Sequence, residues 1–366
     1  MPADADLILV GGRVFTASES RPWARALGIR GDRLVAVGSE TQVDRWSGRR
    51  TKRIDLRGRT VVPGFIDAHA HLADAAGEAA WIELAGTRTL NDAIDRMTKA
   101  ATATPAEGWV LGTGWDEAKW PERRYLMRED LDRVSEERPV VARRIDGHMG
   151  SLNSRALAIA SDLAGMRGFE TDATGRPTGV LKEDAFGAFH TRLDAGEAEI
   201  ERGLPRVARR VHRLGVTSIH DVVDLATWRA YQRARRTGRL RLRVYAMPRD
   251  PLIPSLAAAG MMTGLGDEWL RLGAIKVFAD GSLGAYTAAL REDYTGRAGE
   301  RGMLVHAPEV LRHILEMAHR HGFQTATHAL GDEAIREVVA SLEDVQVSAP
   351  RKDPRHRIEH YELPDE

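Results

Sequence analysis

Strand-like and helix-like segments alternate along the chain from about residue 200 onwards. Helical patterns there are followed by apolar runs, and three of the helices are followed by a glycine, at Gly215, Gly238 and Gly322. Such alternation is typical of βαβ units packed around a parallel sheet. The pattern therefore predicts an α/β protein in which helices cover a sheet of parallel strands.

Two earlier regions depart from this alternation. Residues 1–60 read as short strands separated by turns, and the Gly31-Asp32 turn between two apolar runs is typical of a hairpin. The region at about 80–200 shows no clean alternation and is rich in Trp, Gly and Arg. We expect a small β module over 1–60, a main domain over 61–366, and a large insertion at about 80–200, after the first strand of the sheet.

The composition gives no reason to expect nucleic acid or a membrane as a partner. The 366 residues are 43% hydrophobic, and 53 basic residues balance 53 acidic ones. A net charge of zero provides no attraction for nucleic acid or an anionic bilayer. No apolar run approaches the roughly 20 residues that span a membrane, and no cysteine is present. We expect no secretory signal, because the first residues show no basic segment followed by an apolar one. We expect a cytoplasmic protein, and leave a homodimer open.

Polar residues lie at the ends of five predicted strands. They are His69 and His71, the pair His220 and Asp221, Lys276, His328, and His360. Taken singly, each has a structural explanation. A histidine at a strand end is usually only hydrogen-bonded, and a lysine between apolar residues usually extends its ammonium group into solvent. Together they suggest a site, because barrel active sites form where several parallel strands end.

The most specific element is the His-x-His pair in "GFIDAHAHL" (64–72). Residues i and i+2 of a strand face the same side, so His69 and His71 can both face one ion. Catalytic metals favour histidine and carboxylate ligands with one position left open. The pair therefore predicts a metal site.

Lys276 lies between Ile275 and Val277, where its ammonium would be buried. Burial lowers the pKa of a lysine, and a cation beside a metal ion would be repelled. A neutral amine can instead react with carbon dioxide, and the resulting carbamate is an anion able to bridge two metals about 3.5–4 Å apart. We treat carboxylation of Lys276 as a hypothesis.

The other histidines favour structural roles. Five lie on or near predicted helices and one in a basic loop: His190, His212, His313, His319, His321 and His356. His306 precedes a helix and is left undecided, with a structural role preferred.

Motifs along nearly the whole chain resemble the amidohydrolase superfamily of metal-dependent hydrolases, and most closely its family 3 branch, which includes N-substituted formamide deformylases. The matching stretches are "VVPGFIDAHAHL", "GTGWDEAKW", "RIDGHMGSLNSRAL", "GVTSIHD", "IKVFADGSLGAYTAAL", "HALGDEAI" and "RIEHYELP". The resemblance implies a distorted (β/α)₈ TIM-like barrel with a small β-sandwich built from both chain ends.

The resemblance also implies roles for individual residues. His69, His71, Lys276, His328 and His360 match the family's metal ligands, with Lys276 at the position that is a carboxylated lysine in some relatives. Residues expected to border the substrate pocket are Trp115, Asp116, His148, Asp280 and Ser282, although core packing is an equal alternative for Trp115. The implied cofactors are one or two divalent ions, zinc being preferred.

One ligand of the family has no counterpart here. The family's catalytic base is an aspartate that ends strand 8, whereas His360 matches strand 6 and the sequence ends at Glu366. At about 30 residues per βα unit, residues 61–366 without the insertion account for six units. We therefore expect the chain to reach about strand 6, with the base and the returning sandwich strands beyond Glu366.

The implied activity is hydrolysis of a non-peptide carbon–nitrogen bond in a small molecule, such as an amide, formamide or cyclic amide. Trp109, Trp115 and Trp120 in the insertion indicate a partly apolar substrate. One alternative is hydrolysis of an ester or another C–O or C–Cl bond on the same metal centre. Another is a truncated relative without activity.

Overall fold

The computed structural model describes residues 4–103, 108–193 and 196–365. The chain divides into two compact units, one formed by residues 1–66 with 215–217 and the other by 67–214 with 218–366. The predicted boundary at residue 60 and the predicted insertion limits remain predictions.

The first unit is built from short strands and one helix. Its elements are β1 (Leu7–Val10), β2 (Arg13–Phe15), β3 (Trp23–Ala24), β4 (Ala26–Arg30), β5 (Arg33–Gly38), α1 (Glu40–Asp44), β6 (Lys52–Asp55) and β7 (Thr60–Val61). They form sheets ordered β5-β4-β1-β6 and β3-β2-β7. The predicted hairpin is confirmed: β4 and β5 pair antiparallel with Arg30 opposite Arg33, and Gly31 takes a φ of 59° in the turn.

Parallel strands form the centre of the second unit. They are β8 (Phe65–Ala70), whose first residues belong to the first unit, β15 (Val216–Val223), β16 (Arg243–Pro248), β17 (Leu270–Leu272), β18 (Ile275–Phe278), β19 (Thr325–Ala329) and β20 (Arg357–His360). They form sheets ordered β17-β16-β15-β8 and β18-β19-β20. A parallel bridge between Arg249 and Lys276 connects the end of β16 to β18.

Helices precede these strands, as the alternation predicts. They are α7 (Glu197–Arg213), α8 (Leu225–Arg236), α9 (Ile253–Ala258), α10 (Pro308–Arg320) and α11 (Asp332–Ser348). Gly215, Gly238 and Gly322 have φ values of 83°, 66° and 82°, so each ends a helix in the left-handed conformation that glycine adopts without strain. A buried cluster that includes Val277, Leu315, Phe323, Ile335 and Val338 packs α10 and α11 against β18.

A separate sheet occupies most of the predicted insertion. Its strands are β9 (Ile82–Glu83), β10 (Val110–Trp115), β11 (Val140–Arg144), β12 (Met149–Leu152), β13 (Phe169–Thr171) and β14 (Pro177–Lys182), in the order β13-β14-β12-β11-β10-β9. The accompanying helices are α2 (Leu72–Gly77), α3 (Leu90–Ala103), α4 (Arg128–Asp132), α5 (Ser154–Ile159) and α6 (Glu183–His190). Within the described ranges, no helix combines the length and apolar character that a membrane span requires.

Candidate metal centre

Four of the five predicted metal ligands are histidines, and their rings are neighbours in the second unit. His69 lies in β8, His71 directly follows that strand, His328 lies in β19 and His360 ends β20. The ring centroids of His69 and His71 are 5.5 Å apart, those of His69 and His360 4.6 Å, and those of His328 and His360 4.7 Å. The parallel strands therefore bring residues from three distant parts of the sequence together, as predicted.

His360 occupies its position through an unusual backbone conformation. Successive side chains of a strand point to opposite faces, so His360 would be expected opposite Glu359. However, the φ of His360 is 73° and that of Tyr361 is 54°, both in the left-handed region that residues other than glycine rarely adopt. The strand ends in this strained turn, and the His360 ring lies beside His69 and His328. Strain of this kind is concentrated at functional sites.

Three of the histidines use one ring nitrogen to bind the protein itself. Nδ1 of His69 contacts the Glu359 carboxylate, and Nδ1 of His71 lies 3.3 Å from Oδ2 of Asp74. Nε2 of His328 donates to the carbonyl of Gly281 at 2.8 Å. Metal-binding histidines characteristically donate their second nitrogen to a carboxylate or carbonyl in this way. Each ring thus keeps its other nitrogen for a ligand.

The surroundings of His71, His328 and His360 favour the neutral imidazole, which metal binding requires. Burial lowers the pKa of His71 and places that of His328 well below its ordinary value. Burial, with His69 and Lys276 nearby, lowers the pKa of His360 to about 4. These imidazoles carry a lone pair rather than a proton at neutral pH.

Lys276 lies fully buried in β18, near enough to His71, His328 and His360 for its charge to add to the effect of burial on their pKa values. Its Nζ is one of the few buried polar atoms in the described ranges that make no hydrogen bond. It lies 4.5 Å from the centroid of the Phe278 ring, and this ring is also 5.2 Å from that of His328 between centroids. Burial lowers the pKa of Lys276 to about 7. An amine in this position lacks the partner that a buried cation needs.

The donor set fits a divalent metal, although its atoms do not converge as they are placed. Across the described residues, no group of three or more His, Asp or Glu side chains is arranged so that it could hold an ion. The fit rests on the chemistry of the donor set instead, because His69, His71 and His328 each have one ring nitrogen anchored and the buried amine nearby makes no hydrogen bond. Binding would require the rings to turn toward a common point.

His148 is a predicted pocket residue whose ring lies beside this cluster. Its ring centroid lies 5.0 Å from that of His328, and its Nδ1 donates to Glu183 at 3.0 Å. Burial alone would lower the pKa of His148, but the hydrogen bond and the charge of the Glu183 carboxylate outweigh this effect, so the pKa is raised. Glu183 has a φ of 40°, a strained conformation that gives no signal in the sequence.

Asp280 and Ser282 organise the loop that follows β18. Asp280 is fully buried, and its carboxylate accepts hydrogen bonds from the backbone of Ala289, Leu330 and Gly331 at 2.8–3.3 Å. Despite these donors, burial raises its pKa to about 6. Ser282 donates to Oδ2 of Asp146 at 2.8 Å. Asp280 thereby fixes the loop after His328 rather than facing open space.

The two remaining predicted pocket residues, Trp115 and Asp116, make their described contacts within the insertion. Trp115 is fully buried, its Nε1 donates to the carbonyl of Ala142 at 3.0 Å, and its ring stacks on the buried Trp120. The structure therefore favours core packing for Trp115, and these two tryptophans no longer support an apolar substrate. Asp116 caps a short 3₁₀ turn by accepting from Ala118 at 3.1 Å and pairs with Lys119.

Sequence reasoning missed three carboxylates that hold the histidines: Glu359, Asp74 and Glu183. Asp74 could have been found, because it is three residues after His71 and residues at this spacing meet on a helix. Glu359 lies on a distant strand from His69, and no local pattern connects the two.

Asp221 is a further buried carboxylate next to the His-x-His segment. It accepts hydrogen bonds from the backbone of Leu72 and Ala73 at 2.5 and 3.2 Å and from the hydroxyl of Tyr231 at 2.7 Å. Burial raises its pKa to about 7. Asp221 thus fixes the start of α2 immediately after His71, and it is not placed as a catalytic base.

Comparison with known proteins assigns the chain to a family. The amidohydrolase family model matches residues 52–365. Protein LONG AFTER FAR-RED 3 of Arabidopsis thaliana is 31% identical over 97% of this chain, which spans 64% of that protein. N-substituted formamide deformylase of Arthrobacter pascens is 26% identical over 97% of this chain and 68% of its own length.

A solved structure supports the same assignment. The crystal structure of an uncharacterized metal-dependent hydrolase from Pyrococcus furiosus has a TM-score of 0.69 and 26% identity, covering 93% of this chain and 70% of that one. The fold is accordingly the TIM-barrel-like fold of metal-dependent hydrolases, and the predicted family is confirmed. The chain belongs to the amidohydrolase family, in its family 3 branch.

Proposed function

We propose that this protein hydrolyses a non-peptide carbon–nitrogen bond of a small molecule at a divalent metal centre. The observation that carries the proposal is the cluster formed by the rings of His69, His71, His328 and His360, with the buried amine of Lys276 near three of them. The chain spans 64% of the plant relative's length, so the activity of the whole protein is part of the proposal.

The four histidines would hold one or two ions, with zinc preferred because it binds neutral imidazole readily. The metal would supply a Lewis acid and lower the pKa of water from about 15.7 toward 7. The protein's contribution is to hold each imidazole as a lone-pair donor. Asp74 and Gly281 fix the ring orientations of His71 and His328.

Lys276 would join the ligand set as a carbamate. The neutral Nζ attacks the carbon of carbon dioxide, a nitrogen–carbon bond forms, and one N–H proton leaves to solvent. The product is an anion, which removes the cost of a buried ammonium and provides two oxygen ligands. Its burial and the missing hydrogen bond support this modification.

His148 is the residue best placed to contact the substrate beside the metal. Its Nδ1 is held by Glu183 and its ring lies next to His328. Asp280 and Ser282 would shape the same wall by ordering the loops after β18 and β19. The general base is not assigned to any residue of this chain.

The preference for a C–N bond rests on similarity to the formamide deformylase. The test compares the rates at which the zinc-loaded protein cleaves a formamide and the formate ester of the matching alcohol. The His71→Ala variant is the control. Faster formamide cleavage that disappears in His71→Ala is expected. Cleavage of the ester alone would favour a C–O hydrolase, and turnover unaffected by His71→Ala would refute the metal centre.

A further inference from the structure

Glu359 forms a buried contact between the end of β20 and the His-x-His strand. Its side chain is only 7% exposed and contacts Nδ1 of His69 through one carboxylate oxygen. Its other oxygen accepts from Nε and a terminal nitrogen of Arg357 at 2.8 and 2.7 Å. Arg357 therefore fixes one carboxylate oxygen of Glu359, and the other oxygen contacts His69.

Arg357 connects this carboxylate to one further strand, β15, and a second time to β8. Its terminal nitrogens donate to Nδ1 of His220 at 2.7 Å and to the carbonyl of Ala68 at 3.2 Å. The carboxylate is thus an acceptor, paired with a guanidinium, whose position is determined by contacts with β8, β15 and β20 together.

We propose that Glu359, held by Arg357, is a positioning residue that fixes the tautomer and orientation of His69 for metal binding. A carboxylate only accepts hydrogen bonds, so its contact with Nδ1 requires the proton of His69 to be on Nδ1. In the neutral imidazole with this tautomer, Nε2 carries the lone pair available to a metal. The inference rests on the proposed function, because it assigns His69 to the metal site.

The proposal has a structural alternative, in which Glu359 serves only to neutralise Arg357. The two differ in what they predict for His69. If Glu359 only pairs with Arg357, its loss lowers stability and leaves the His69 tautomer and the metal affinity unchanged. A positioning role changes both, and partners of this kind typically contribute about 10- to 100-fold in metal affinity.

The test compares Glu359→Ala and Glu359→Gln with the unmodified protein and with Glu343→Ala, an exposed glutamate on α11. Histidine-selective ¹⁵N NMR of the metal-free protein reports the His69 tautomer. Competition with a chromophoric chelator reports zinc affinity. Glu359→Gln keeps an acceptor oxygen without the charge, so it remains informative if Glu359→Ala fails to fold.

We expect the Nδ1–H tautomer in the unmodified protein and in Glu343→Ala, and a shift toward Nε2–H in Glu359→Ala. Zinc affinity should fall about 10- to 100-fold in Glu359→Ala and by a smaller factor in Glu359→Gln. An unchanged tautomer with unchanged zinc affinity would overturn the proposal. If the unmodified protein binds no zinc, the proposed function fails, whereas the tautomer measurement still decides the role of Glu359.

Discussion

At the scale of single residues, the buried amine of Lys276 is the least expected feature of the second unit. Few interactions compensate its charge. Its Nζ makes no hydrogen bond, and the face of the Phe278 ring provides only a weak attraction. A buried cation without a close partner destabilises the fold unless it loses its proton or is modified. The structure thus retains a residue that costs stability, which is typical of a site kept for chemistry.

The pH dependence of stability tests this description of Lys276. Its pKa is about 7 in the folded protein and 10.5 ordinarily, so between these values the unfolded chain binds the additional proton. Stability must therefore rise as pH increases from about 7 to 10. Urea unfolding of metal-free protein in carbon-dioxide-free buffer should show this rise, which the Lys276→Met variant should lack.

Lys276→Met also provides a prediction at fixed pH. Methionine has a similar length and no charge, so the variant should be more stable than the unmodified protein at pH 7 by about 1–4 kcal/mol. Equal stabilities across the whole pH range would show that the Lys276 charge is compensated.

The Asp221–Tyr231 hydrogen bond allows a second prediction at this scale. Tyr231→Phe removes one donor from a fully buried carboxylate, which should lower the free energy of unfolding by about 1–3 kcal/mol. Faster amide exchange at Leu72 and Ala73 should accompany it. Tyr361→Phe, on an exposed ring, is the control; equal stability of both variants would contradict this role.

Single residues also show where sequence reasoning ends. The ring neighbours His69, His328 and His360 could be predicted, because parallel strands bring their carboxyl ends together. The left-handed backbone of His360 and Glu183 could not, because such strain depends on the surrounding tertiary structure. The burial of Trp115 also depends on contacts within the insertion, which its motif does not reveal.

At the scale of elements, the loop after β19 is packed too closely to tolerate a larger residue. A Cβ added at Gly331 would lie 1.9 Å from the carbonyl oxygen of Ala289, and the Gly331 amide donates to Asp280. Gly331→Ala should therefore destabilise the protein by about 1–3 kcal/mol through backbone displacement. Urea unfolding measures the change.

Gly187 in α6 is the matched control for this substitution. It is exposed, and nothing lies near the position that a Cβ would occupy. Gly187→Ala should stabilise the helix by about 0.5–1 kcal/mol. Stabilisation by both substitutions would show that the loop after β19 is not constrained as described.

The elements themselves could largely be predicted, because periodicity and turn glycines are local signals. The helices ending before Gly215, Gly238 and Gly322 and the hairpin at Gly31 all form as expected. The six-stranded sheet of β9 to β14 could not be predicted, since its strands are short, irregular and paired in both directions.

At the scale of the whole molecule, the proposed metal site depends on contacts between segments far apart in sequence. His69 and Glu359 are 290 residues apart, and Asp221 lies 149 residues from Leu72. Family membership could be predicted from motifs that cover most of the chain, and it is confirmed by the match over 52–365. The identity of the substrate could not, because pocket shape depends on side-chain packing in three dimensions.

A ligand that binds only the folded state raises the free energy of unfolding. Because these long-range contacts form only in the folded protein, a metal bound at the site should stabilise the fold. Zinc at 100 times its dissociation constant should increase the free energy of unfolding by about 2.7 kcal/mol. Thermal unfolding with zinc and with a chelator measures this difference. A transition temperature that does not respond to zinc would mean that binding does not involve the folded site.

The most direct test of the metal centre is the amount of metal bound per chain after exhaustive dialysis, determined by elemental mass spectrometry. We expect one or two divalent ions in the unmodified protein and a clear loss of bound metal in both His71→Ala and His328→Ala. Metal content far below one ion per chain, or equal content in all three proteins, would contradict the assignment of these histidines to a metal centre.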